Sequence, residues 1–144
     1  MEYRLTLRHD VAELTRLSAW LADLKNPGTL SDRDLFRLDL TLNEAITNVM
    51  DYSTPEAAAA GEVTVRLVLA PEEITVTVID QGKPFDPLSG PKKRLPSRLE
   101  DATPGGLGIH LIRNYTDSCS YERNGETNRL TMVFRRTPPA AVQG

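Results

Sequence analysis

The sequence predicts an α+β two-layer sandwich, with helices on one face of a mixed, largely antiparallel sheet. Three observations lead there. Strand-like alternation comes in blocks, one run at the start, a pair in the middle and a pair at the end, not in the strict strand–helix alternation of a doubly wound fold. Two segments with three-four apolar spacing lie together between the first block and the second. The 144 residues suit one sizeable core and are too few for two.

Each element follows from its own pattern. Tyr3, Leu5 and Leu7 alternate with Arg4, Thr6 and Arg8, as in a half-buried strand. Asp10 followed by Glu13 reads as a capping box, after which Val11, Leu14, Leu17, Leu21 and Leu24 form a helical stripe ending near Asn26-Pro27-Gly28. Ser31 followed by Asp34 repeats that start signal before a longer helix striped by Leu35, Leu38, Leu42, Ile46 and Val49. Two alternating runs follow, Val63 to Leu69 and Ile74 to Val78, close enough to pair antiparallel. From Asp86 to Pro104 the periodicity stops: Pro87, Pro91, Pro96 and Pro104 punctuate a segment carrying Lys92, Lys93, Arg94 and Arg98. A loop this long within one domain reads as a lid or as disorder. Leu107, Ile109, Leu111 and Ile112 then suggest a short helix opening from glycines, and Cys119 to Arg123 with Arg129 to Arg135 suggest a closing hairpin. The expected organisation is one domain over 1–137, a lid over about 86–104 and a frayed tail over 138–144.

Composition narrows the function classes. Seventeen basic against twenty acidic residues give a formal charge of −3, so no global field favours nucleic acid or an anionic membrane, and phosphate binding has to be local. No apolar run approaches the roughly 18 residues that span a bilayer, and the alternating N-terminus is unlike a secretion signal. The single cysteine, Cys119, cannot close an internal disulfide, which suits a cytoplasmic protein. No zinc spacing, Walker lysine motif or G-x-S-x-G elbow is present. His9 has no partner in view, His110 reads as a packed or capping residue of a helix, and Trp20 reads as a packing residue of the first helix.

Three polar segments stand out. On the second helix Glu44, Asn48, Asp51 and Tyr52 share one face, because successive residues turn by about 100° and Asn48 therefore lies only about 40° from Glu44. Asp80 ends a strand and is followed by Gly82, which leaves backbone room for something flat. Gly105, Gly106 and Gly108 precede a helix, where unpaired N–H groups and the helix dipole favour an anion. Singly, each has an ordinary reading as a solvated face, a post-strand turn or a loop; their ordered combination is less easily accidental.

Together the segments "NEAITNVMDYS", "VIDQGKPFDP" and "GGLGIHLIRNYTDSCSYERNGETNRLTM" resemble the N, G1 and G2 boxes of the GHKL ATPase superfamily. Within it, the chain resembles the small anti-sigma-factor serine kinases of bacterial partner-switching systems. The resemblance implies the Bergerat, histidine-kinase-like ATPase fold, with ATP and Mg²⁺ as cofactors. It makes Glu44 the general base on a substrate hydroxyl and Asn48 the magnesium ligand, chemistry suited to a carboxylate and to a hard amide oxygen. It makes Asp80 the acceptor for the adenine amino group, with Gly82 and Phe85 beside it. Gly105, Gly106, Leu107 and Gly108 become the phosphate-binding turn, and Thr131 a strand threonine near the adenine pocket. Tyr52 stands where the family often has histidine and can still bound the pocket, while Pro84 replaces a glycine as in one branch of the small kinases. The implied partners are an anti-sigma-factor antagonist with a STAS domain, a sigma factor or other regulated protein, and a second copy in a homodimer, with no direct nucleic acid and no membrane. The alternative is a non-catalytic, nucleotide-dependent binding module of the same fold. A histidine kinase portion is disfavoured for want of an upstream phosphoacceptor helix.

Overall fold

The computed structural model describes residues 1–8, 10, 12–25, 30–51, 62–81 and 112–136. In chain order they form β1 (Glu2–Arg8), α1 (Glu13–Lys25), α2 (Asp32–Asp51), β2 (Glu62–Leu69), β3 (Glu73–Asp80), β4 (Ser118–Asn124) and β5 (Thr127–Arg135). The strands make one sheet in the order β1-β2-β3-β5-β4, and every pairing is antiparallel. The expected α+β sheet with helices is therefore present, and its described part contains no parallel pair.

The alternation read from the sequence becomes the two faces of this sheet. Leu5 and Leu7, then Val63, Val65, Leu67 and Leu69, then Ile74, Val76 and Val78, then Leu130, Met132 and Phe134 are buried and join the stripes of both helices in one core. Leu17 and Leu21 contribute from α1, and Leu38, Leu42, Ala45 and Ile46 from α2. Residues at the intervening strand positions, such as Thr64, Thr75, Thr77 and Thr131, are only half-buried. The helices thus cover one face of the sheet.

Local chemistry starts and stops the elements. The Ser31 Oγ accepts from the Asp34 N–H at 3.1 Å, the N-cap bond expected for α2. At α1 the Asp10 carboxylate accepts from the Ala12 N–H, while Glu13 reaches back beyond the cap to accept from the Arg8 N–H. The β4–β5 hairpin turns at Gly125 with φ of 64°, the left-handed geometry glycine adopts at the first central position of a type II′ turn.

Arg37 fixes where α2 begins over the sheet. Its guanidinium donates to the Tyr115 and Arg135 carbonyls at 3.2 and 3.1 Å and to Asp117 at 3.1 Å, and lies 5.2 Å from the centre of the Phe134 ring. It also sits 3.5 Å from the buried Asp34 carboxylate. Because Arg135 pairs with Glu73, the start of α2 is pinned at the edge where β3 begins. Packed against β3 and buried at Leu38, Leu42, Ala45 and Ile46, the helix lies on the face of the sheet to which Asp80 belongs.

Candidate functional site: a buried amide, a carboxylate and a strand-end aspartate

Glu44 and Asn48 sit one turn apart on α2, which places them on one side of the helix. Asn48 continues the line of Thr41 and Ala45 along the flank of the apolar stripe, so the packing that buries those residues buries it too. It is 3% exposed, and among the described residues neither Oδ1 nor Nδ2 has a hydrogen-bond partner. The other buried polar side chains among the described residues are partnered: Glu13 by Arg8 and Arg16, Asp34 by Arg37, Thr41 by the Arg37 carbonyl, and Asp80 by Asn128. A buried amide left unsatisfied costs about 1–3 kcal/mol, so the exception needs a reason. An amide oxygen held this way is a suitable ligand for a hard cation, and magnesium with its phosphates is a group these residues fit. Glu44, half-buried, makes no hydrogen bond or ion pair among the described residues.

Asp80 closes β3 on the helix-covered face, in line with Ile74, Val76 and Val78, and is 7% exposed. It stands directly opposite Asn128 of β5, whose Nδ2 donates to Asp80 Oδ2 at 3.3 Å. Asn128 Oδ1 in turn accepts from the Tyr121 hydroxyl of β4. Asp80 therefore lies on the same side of the sheet as the helix bearing Glu44 and Asn48.

Thr131 is not with them. It pairs with Thr77 and Ser120 and, by strand alternation, lies on the face away from the helices and from Asp80. The β5 side chain that meets Asp80 is Asn128. Sequence reasoning passed over Asn128 and Tyr121, although a signal was available. Leu130, Met132 and Phe134 define the core face of β5, and stepping back by two reaches Asn128, whereas Thr131 falls on the other parity. Tyr52, Gly82, Phe85, Gly105, Gly106, Leu107 and Gly108 lie outside the described residues, as do the lid segment with its Lys92, Lys93, Arg94 and Arg98, and both histidines. Cys119 and Trp20 are half-buried against the core. No helix among the described residues is long and apolar enough to cross a membrane.

Comparison with known proteins agrees with this fold. The family model described as "Histidine kinase-like ATPase domain" matches residues 7–134. The serine/threonine-protein kinase BtrW of Bordetella bronchiseptica is 32% identical over 136 residues, 92% of this chain and 94% of that protein. The serine-protein kinase RsbW of Bacillus licheniformis is 27% identical over 108 residues, 72% of this chain and 67% of that protein. Among solved structures, the RsbU and RsbW domains of Rv1364c from Mycobacterium tuberculosis superpose with a TM-score of 0.70 at 14% identity, over 97% of this chain and 34% of the larger one. The histidine kinase domain of EL346 from Erythrobacter litoralis shares the fold at a TM-score of 0.55 and 18% identity. A match that runs from the first strand to the last, over a sheet and helix pair of the same architecture, makes this chain a member of the histidine kinase-like ATPase domain family.

Proposed function

We propose that the protein is an ATP-dependent protein serine kinase that phosphorylates an anti-sigma-factor antagonist of the STAS type. By switching between that antagonist and a sigma factor, or an equivalent target, it regulates the latter. The observation that carries the reading is the unpartnered, buried Asn48 one helical turn from Glu44. The full-length similarity to a serine/threonine-protein kinase supports it.

In this reading Asn48 Oδ1 is the protein's ligand to magnesium, which when bound supplies positive charge to the phosphate oxygens. Glu44 would accept the proton of the substrate serine hydroxyl as that oxygen bonds to the terminal phosphorus of ATP, whose bond to the departing ADP breaks. Asp80 accepts a hydrogen bond from the adenine amino group, with Gly82, Phe85 and Tyr52 bounding the base. Gly105, Gly106, Leu107 and Gly108 cradle the phosphates, with 86–104 as the lid over them. A cytoplasmic homodimer is the expected state, built through β1 and α1, and sedimentation of the purified chain tests it.

The kinase reading is tested by incubating the protein with labelled ATP and the antagonist. Glu44→Gln is expected to bind ATP normally and to lose transfer by about 10²–10⁴-fold. Undiminished transfer by that variant would remove Glu44 from the chemistry. ATP binding without transfer by the wild type would identify the protein as a nucleotide-dependent binding module instead.

A further inference from the structure

We propose that the groove between α1 and α2 is where the protein substrate docks, seating an aliphatic side chain between Phe36 and Leu40 and a lysine or arginine on Asp39. The proposal rests on the reading of Glu44 as general base toward a STAS-type antagonist, and adds where that antagonist is held.

The groove follows from what the two helices present outward. On α1, Thr15 and Ala22 lie three residues before and four after Ser18, on the same side of the helix, and both are exposed. Such short side chains leave an opening beside α2, lined by Ser18, Phe36, Asp39, Leu40 and Asn43, with a volume of about 220 Å³. Clefts that enclose a small molecule run to roughly 300–1,000 Å³. This one has room for one or two side chains offered by a protein surface.

Its walls are apolar on one side and acceptor-only on the other. Phe36 is 58% exposed, yet its ring is held edge-on to Tyr115, with the centroids 6.2 Å apart. An aromatic already held in place offers contact area at little cost in side-chain entropy. The donors of the groove are spent internally: the Ser18 hydroxyl donates to Asp39 Oδ1 at 2.7 Å, and Asn43 Nδ2 donates to the same oxygen at 2.9 Å and to the Asp39 carbonyl at 2.6 Å. Asp39 Oδ2 and Asn43 Oδ1 have no hydrogen-bond partner among the described residues, and the lining residues include no lysine or arginine. A carboxylate aligned by two donors, with its second oxygen open beside an apolar wall, complements both the charged head and the methylene stem of a lysine or arginine.

Position selects the occupant. Phe36, Leu40 and Glu44 follow one another at four-residue intervals on α2, so Glu44 stands about 6 Å along the axis beyond Leu40, on the same side of the helix. A protein seated over Leu40 is thereby brought beside the residue proposed to take the serine proton. Of the proposed partners, only the one that is phosphorylated requires that proximity.

The probe for this site is the purified STAS-domain protein encoded nearest to this chain's gene, with its binding to the full chain measured calorimetrically and its phosphorylation timed with magnesium-ATP. Asp39→Asn keeps an oxygen for Ser18 and Asn43 and removes the charge, while Phe36→Ala removes the apolar wall. Each is expected to weaken binding of the STAS protein, and to raise the KM for it, by about tenfold, with kcat and ATP affinity within about twofold of wild type. Raising salt from about 0.05 to about 0.5 M should weaken binding to the wild type more than binding to Asp39→Asn. A merely structural role would move kcat or ATP affinity as well and leave the salt dependence alike in both.

Unchanged affinity and KM in the two variants would overturn the proposal. So would loss of self-association in the variants with STAS binding intact, seen by sedimentation, which would give the groove to a second copy of this chain. A wild type that binds the STAS protein without phosphorylating it would remove the kinase reading, and the affinities of the two variants would then decide the docking site by themselves. A wild type that does not bind it would remove the antagonist reading, and this proposal with it.

Discussion

Asn48 shows how a single residue separates what a fold needs from what a site needs. Among the described residues nothing satisfies its amide, so the side chain is expected to destabilise the nucleotide-free domain. Asn48→Leu, similar in volume and apolar, is expected to raise stability by about 1–2 kcal/mol in denaturant melts while abolishing magnesium-dependent ATP binding. A drop in stability would mean that the amide is satisfied after all. Thr131 gives the opposite case: on the face away from Asp80, its change to Val should leave ATP affinity within about twofold of wild type. That Glu44 and Asn48 share one side of α2 and that Asp80 closes a strand was legible here, because helical spacing and strand alternation are local. Which strand residue meets Asp80 was not, because a threonine attracts attention by type, whereas the face it occupies depends on parity along the strand.

At the scale of elements, α2 is the part on which the site depends, and its placement rests on its first turns. Its start was readable in Ser31 and Asp34, and Ser31→Ala should cost about 1 kcal/mol. Arg37 was not readable as anything more than a charge on a helix, because its partners lie in the turn after 112–115 and at the end of β5, distant in sequence. Arg37→Met leaves the Asp34 carboxylate without that cation, and a loss of about 2–3 kcal/mol is expected. Asp117, on the other side of Arg37, adds a pH signature. The Arg135 backbone N–H and then the Arg37 guanidinium hold its carboxyl below the usual carboxylate range. A group whose native value is lowered contributes stability that is complete above its unfolded value, near 4, and is lost as pH falls through the native one. Asp117→Asn should therefore lower stability at neutral pH and shallow its decline below about pH 4, as read from thermal melts across pH. Its exposed position keeps that effect small.

For the whole molecule, the residues proposed as general base, metal ligand and base reader, Glu44, Asn48 and Asp80, come from α2 and β3, elements joined through the core. Ligand binding should consequently tighten the domain as a unit. At a hundred times its dissociation constant, magnesium-ATP is expected to add about 2.7 kcal/mol, roughly 6–11 °C in melting temperature for a chain of this size. Scanning calorimetry checks this, and a melt that ATP leaves unmoved would separate the site from the fold. The sequence by itself determined the five strands, the helices α1 and α2, the N-cap of α2 and the order of the polar segments, because alternation, three-four spacing and capping are local properties of a few neighbouring residues. Only the tertiary structure decided that β5 lies between β3 and β4, that Asn128 and not Thr131 faces Asp80, and that Asn48 is buried without a partner among the described residues. Those facts depend on register and on what packs against each face, and both are settled by contacts between segments far apart in the chain.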